Sequence, residues 1–176
     1  PVDRLVELVR QWVESHGRRP TALEAATALR RSIELPAGTS WFEFLDGLNL
    51  LESDERAALG VGRDLFRYIE RGNYTKSFKL VTLRCMLDRG ELRSGMDLAR
   101  LATFARWEIQ RDARLDGDLQ DVASAFRDPA NPTDHEWQGY WRRNPIRALT
   151  AEKSRADRGT LFTLQDNRLV LDLDVP

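Results

Sequence analysis

The chain of 176 residues is long enough to form one large domain or two small ones, each with a buried core. Its net charge of −1 excludes a uniformly basic nucleic-acid binder, so any such role has to come from local patches. Hydrophobic residues make up 41 % and charged ones 31 %, as in ordinary soluble globular proteins, and no apolar run approaches the ~20 residues a membrane span needs.

From the first residues the pattern is helical. Val2, Leu5, Val6, Val9, Trp12 and Val13 fall at the spacing of an amphipathic helix, which His16-Gly17 ends. Thr21 and Glu24 have the spacing of a capping box before an alanine-rich helix that stops near Arg30. A second box, Ser40 with Glu43, opens a short helix bearing Trp41, Phe42, Phe44, Leu45 and Leu48. Ser53 is placed to cap a further helix, with a break expected at Gly60-Val61-Gly62 and helix resuming over 63–70. Residues 1–72 therefore read as an all-helical unit of four or five helices, with Arg71-Gly72-Asn73 as the hinge.

In the second unit, 73–176, Thr75 or Ser77 can cap an apolar helix ending before Gly90. Ser94-Gly95-Met96-Asp97 signals another helix start, and Leu119, Val122 and Phe126 suggest one more short helix. After the Asp128–Pro132 loop, Thr133 and Glu136 form another capping box for a helix carrying Trp137, Tyr140 and Trp141. Asn144-Pro145 is expected to restart the chain into a last turn, and 151–159 to form a mobile charged loop. The period then changes to two: Thr160–Leu164 and Arg168–Leu173 alternate around Asp166-Asn167, a β-hairpin. The expected fold is mainly α, a helical N-terminal unit followed by a winged-helix-like unit with a C-terminal hairpin.

Two constellations stand out for function. Only three lysines occur, and two of them, Lys76 and Lys79, sit with Thr75 and Ser77 at the start of an apolar helix. Helix N-termini offer free N–H groups and positive dipole, so hydroxyls and ammonium groups there suit a backbone phosphate. The plain alternative is an N-cap with lysines lying along the edge of the core. The second constellation is Trp137–Pro145, where aromatics alternate with Arg142, Arg143 and Asn144, followed by Arg147. Such interleaving suits base stacking, although two tryptophans four residues apart equally describe one buried helix face.

Catalysis is not expected. Cys85 lies among Leu83, Met86 and Leu87 as a core thiol, and one cysteine with two histidines makes a zinc site improbable. Asp112, Asp116 and Asp118 have the composition of a metal site, but Arg111 and Arg114 oppose a cation there. No phosphate-cradling glycine loop, nuclease pattern or Ser–His triad is present. His135 falls inside a capping box. No cofactor is expected, and the absence of a signal peptide points to a cytoplasmic setting. An opening on Pro-Val-Asp-Arg without methionine is what an excised piece of a longer protein would show.

The order of helix, His16-Gly17-Arg18-Arg19-Pro20-Thr21, alanine helix, Trp41 and Ser53-Asp54-Glu55-Arg56 is similar to the helicase-associated helical repeats beside bacterial helicase motors. Further on come Tyr74–Leu80, Gly90–Gly95, Arg111–Leu115 and Tyr140–Pro145. In that order they resemble the C-terminal region of bacterial DEAD/DEAH-box helicases of the restriction and phage-defence type. That resemblance implies a DNA-engaging accessory module whose motor lies in the same or a partner chain, with Thr75, Lys76, Ser77, Lys79, Arg142, Arg143, Asn144 and Arg147 toward the nucleic acid. A fainter similarity, through Thr75-Lys76-Ser77 and Asn144-Pro145-Ile146, is to the sulfur-binding domains of modification-dependent restriction enzymes. The chain lacks the histidine before that lysine and the proline-aromatic turn found there. A protein-interaction domain docking through the Trp41 and Trp137 regions is the rival expectation, and a nuclease with a cryptic metal site a third.

Overall fold

A computed structural model describes residues 2–30, 32–72, 74–151 and 160–173. The chain divides into two compact units, Pro1–Arg71 and Gly72–Pro176.

The first unit is helical: α1 (Val2–His16), α2 (Ala22–Leu29), α3 (Trp41–Gly47) and α4 (Ser53–Arg71). Both capping boxes form. The Thr21 hydroxyl accepts from Glu24 N at 3.2 Å while the Glu24 carboxylate takes Thr21 N–H at 2.8 Å. Ser40 and Glu43 repeat the same pair of distances. These boxes fix where α2 and α3 begin, and so how their apolar faces meet Leu5 and Val9 of α1 around Ala25, Trp41, Phe44, Leu45 and Leu59.

Two expectations fail here. Helix α4 runs unbroken through Gly60 and Gly62, because one side of it buries Leu59, Leu65 and Tyr68. Each glycine costs a helix interior only ~1 kcal/mol, whereas burying one such apolar side chain returns about 1.5–3 kcal/mol. Nor does Ser53 cap α4. It is already helical, and the Glu55 carboxylate takes the Glu52 N–H one residue earlier at 3.0 Å.

The second unit contains α5 (Phe78–Asp88), β1 (Met96–Asp97), α6 (Leu98–Arg111), α7 (Asp116–Gln120), α8 (Asp134–Trp141), α9 (Arg147–Ala151) and the hairpin β2 (Phe162–Gln165) and β3 (Arg168–Leu171). Short 3₁₀ turns, Ala113–Leu115 and Ala123–Ala125, flank α7. The sheet is antiparallel in the order β1-β3-β2, with Met96 opposite Leu169 and Phe162 opposite Leu171. A helix, a short strand, further helices, and a hairpin whose second strand returns to the first is a winged-helix-like arrangement, with α7 inserted.

The Asp166-Asn167 turn has φ of 45° and 64°, the left-handed pair that matches the twist of a two-residue hairpin. Phe162, Leu169 and Leu171 are buried on its inner face, while Leu164, at the turn end, is 43 % exposed. Gly95 has φ of +75°, and a Cβ there would lie 2.9 Å from the Leu169 carbonyl oxygen. Glycine is what lets β1 approach β3. Asp97, not Ser94, caps α6, its carboxylate accepting from Ala99 N and Arg100 N at 2.9 and 3.1 Å.

Helix α6 packs against α5 and α8 through Leu101, Ala102, Ala105 and Ile109. Cys85 is fully buried beside Met86, and burial pushes its thiol up to about 12. An aromatic cluster joins α5 to α8: Phe78 lies 5.3 Å from Trp141, and Trp137 stacks with Phe126 and Trp141 at 5.5 and 5.4 Å. Trp137 Nε1 donates to the Ala102 carbonyl at 2.7 Å. Among the described residues, no helix is long and apolar enough to cross a membrane.

Candidate functional site

The α8 helix does not stop at Asn144-Pro145. The chain passes through a π-helical turn, Arg142–Ile146, directly into α9, where a restart was expected. In π geometry each N–H serves the carbonyl five residues back, and Pro145 has no N–H for Tyr140. Asn144 Nδ2 supplies it, donating to the Tyr140 carbonyl at 3.0 Å. The wide turn thus tolerates proline, and it swings Arg143, Asn144 and Arg147 toward the start of α5.

The result is a cleft of about 430 Å³. Its cationic lining is Lys76 and Lys79 from the α5 side and Arg143 and Arg147 from the α8–α9 side, with Thr75 and Asn144 also on its wall. The apolar lining comes from Phe78, Tyr140, Pro145, Ala148 and Ala151. Among the described residues, none of those that line it is acidic. Six of the eight residues expected to contact nucleic acid therefore share one depression, although the two groups are more than sixty positions apart in sequence.

The other two are placed differently. Arg142 donates to the Asn167 side chain at the hairpin turn, and Asn167 Nδ2 in turn donates to Asp97 at 3.2 Å. Since Asn167 O also accepts from Leu98 N at 3.0 Å, Arg142 acts as a tie between helix and wing. Ser77 stands at the N-cap position of α5 but its side chain makes no cap bond, and Thr75 supplies none either. Asp118 of α7 does that work. Its carboxylate accepts from Ser77 N at 2.7 Å and also from the Ser77 hydroxyl. Lys76 Nζ pairs with Asp121 at 2.7 Å.

The helix start expected to hold a phosphate is thus occupied by a carboxylate of the same chain. A lysine at a helix start opposes the dipole, and the Asp121 carboxylate offsets that for Lys76. On the cleft side, Lys79 sits 4.9 Å over the Tyr74 ring. Arg143 folds back across α8, and a Cβ at Gly139 would come within 3.1 Å of its guanidinium.

Trp137 and Trp141 are 2 % and 1 % exposed, so both belong to the core. Removing either from the core would cost ~3–5 kcal/mol, more than the ~1–3 kcal/mol a base stack returns. Trp41 is buried too, at 5 % exposed. The aromatic residue that does face outward is Trp107 on α6, 50 % exposed beneath the Arg111 guanidinium at 4.0 Å. Helical periodicity carried a signal for it, since Trp107 falls outside the Leu98, Leu101, Ala105, Ile109 stripe.

Asp112 caps the 3₁₀ turn and pairs with Arg114 at 2.6 Å, a bond that holds its carboxyl down at about 2. Asp118 is spent on Ser77, so the acidic triplet does not converge. Among the described residues no cluster of His, Cys, Asp or Glu could hold a metal ion. His135 is exposed in the first turn of α8. The charged run 152–159 lies outside the described residues.

The first unit contains a larger groove, about 1260 Å³, walled by Ile33, Leu35, Trp41, Phe42, Phe66 and Ile69. Its arginines are already matched, Arg18 by Glu24 and Arg19 by Glu55. Size alone does not make it the functional site; the smaller cleft has the convergent charge. In comparisons with known proteins, the chain matches no family model, no curated protein and no solved structure.

Proposed function

We propose that this chain is a non-catalytic DNA-binding module, the accessory region of a helicase-like restriction or phage-defence protein acting in the cytoplasm. The single observation that supports DNA binding is the cleft. Four cationic side chains from two distant segments, Lys76 and Lys79 with Arg143 and Arg147, meet at one depression in a chain of net charge −1. Such concentration is unexpected for solubility alone, and it suits a phosphodiester, whose charge supplies most of the binding energy in nucleic-acid complexes. The helicase and defence context rests on the sequence resemblance, which also implies a motor domain as partner.

Arginine 143 and Arg147 offer planar forks to phosphate oxygens, and Lys79 a point charge. Lys76 is paired with Asp121 at 2.7 Å. A variant carrying Lys79→Ala, Arg143→Ala and Arg147→Ala is expected to lose at least tenfold in DNA affinity by fluorescence anisotropy, at about one contact's worth per phosphate. An unchanged affinity in a variant of normal melting temperature would sink the proposal. The rival, protein docking, loses the tryptophans first assigned to it, because Trp41 and Trp137 are buried. One observation still favours it: Trp107 exposed with Leu87, the latter 63 % exposed.

A further inference from the structure

We infer, building on the DNA-binding reading, that the cleft seats one unstacked nucleotide of a single strand rather than the backbone of a duplex. Cations alone can track paired phosphates, whereas a seat for one nucleotide also needs a depression with an apolar wall for the base. The cleft is concave, and its volume of about 430 Å³ falls in the ~300–1,000 Å³ range of sites that enclose small molecules.

The depression exists because of small side chains. Ala148 and Ala151 on α9 and the ring of Pro145 share its lining with Phe78, Tyr140 and the arginines, and fill little of it. A phosphate held by Arg143, Arg147 and the lysines would carry its sugar and base onto that apolar floor. Every base has an apolar face, so such a seat is tolerant of sequence.

Groove insertion into a duplex is poorly served by the same unit. Helix-turn-helix proteins present the N-terminal residues of the recognition helix to base edges. Here the first turn of α8 carries Asp134 and Glu136, which repel phosphates, and Asp134 is engaged by Arg106 at 3.1 Å. Arg143 and Arg147 lie at the other end of that rod, within the π turn and just after it.

The test fills the cleft without touching its charge. Ala148→Leu and, separately, Ala151→Met are made in the full chain, and anisotropy is read on a labelled oligothymidylate alone and annealed to its complement. The single strand is expected to bind the unmodified protein about tenfold tighter than the duplex, the equivalent of one stacked base. Each filling variant is expected to lose about that factor on the single strand only, with its salt dependence unchanged. The inference is overturned if the duplex binds as tightly as the strand, or if both filling variants bind the strand as the unmodified protein does. In either case DNA binding itself would stand. If neither DNA binds at low salt, the DNA-binding reading fails and this inference with it.

Discussion

Asn144 shows how a residue chosen for one role can serve another. Its amide nitrogen completes the backbone accounting that Pro145 leaves open at the Tyr140 carbonyl. Asn144→Ala is therefore expected to lower stability by about 1 kcal/mol, the cost of a part-buried carbonyl losing this partner, and to leave DNA affinity near normal. Denaturant melts and anisotropy on the same preparation check this; lost affinity at unchanged stability would make Asn144 a contact residue after all. A second residue-scale expectation concerns acid. The hydrogen bond from Arg19 holds the Glu55 carboxyl at about 2 against an ordinary 4.5, and Arg18 does the same for Glu24. Both folded values are depressed, so their stabilisation is present above pH 4.5 and is lost as pH falls toward 2. Glu55→Gln should flatten the melting-temperature profile across that window; a profile parallel to the parent's would contradict the assignment.

At the scale of elements, the short helix α7 has the most to explain. It has no buried residue, yet it places Asp118 on the α5 N-terminus and Asp121 on Lys76. Asp118→Asn is expected to act in two directions at once. It should weaken the cap, costing about 1 kcal/mol, and raise affinity for DNA by removing a negative charge beside the cleft. Asp116→Asn, which changes charge by the same amount on the same helix, controls for long-range electrostatics. A gain shared equally by both variants would show that the Ser77 contact is irrelevant to binding. Elements differed in how legible they were. Capping boxes and the Asp166-Asn167 hairpin could be read directly, because each is a local bargain between neighbours. The unbroken α4 and the continuous passage through Asn144-Pro145 depart from the local pattern for one reason. Glycine and proline costs of ~1–3 kcal/mol are local, and long-range burial or a substitute donor offset them.

For the molecule as a whole, the mainly α architecture followed from periodicity, and the change to period two located the wing. The candidate site was half legible. Lys76, Lys79, Arg143 and Arg147 could be singled out by composition, but their meeting depends on a π turn and on α5 packing against it. The carboxylates that cover the helix start belong to a segment 41 residues away from Ser77, beyond any local pattern. The tryptophans illustrate the reverse case, since an aromatic–arginine alternation is also what one buried helix face with a solvated edge produces.

The central claim, that the cleft binds phosphate through its cations, is tested most directly by the salt dependence of DNA affinity. For the unmodified protein the logarithm of affinity should fall linearly with that of salt concentration, by about 0.9 per phosphate on a duplex or 0.7 on a single strand. With Lys79, Arg143 and Arg147 replaced by alanine, the slope should shrink by about two to three such increments. A variant that retains the parental slope at normal melting temperature would place the phosphate contacts elsewhere and contradict the account.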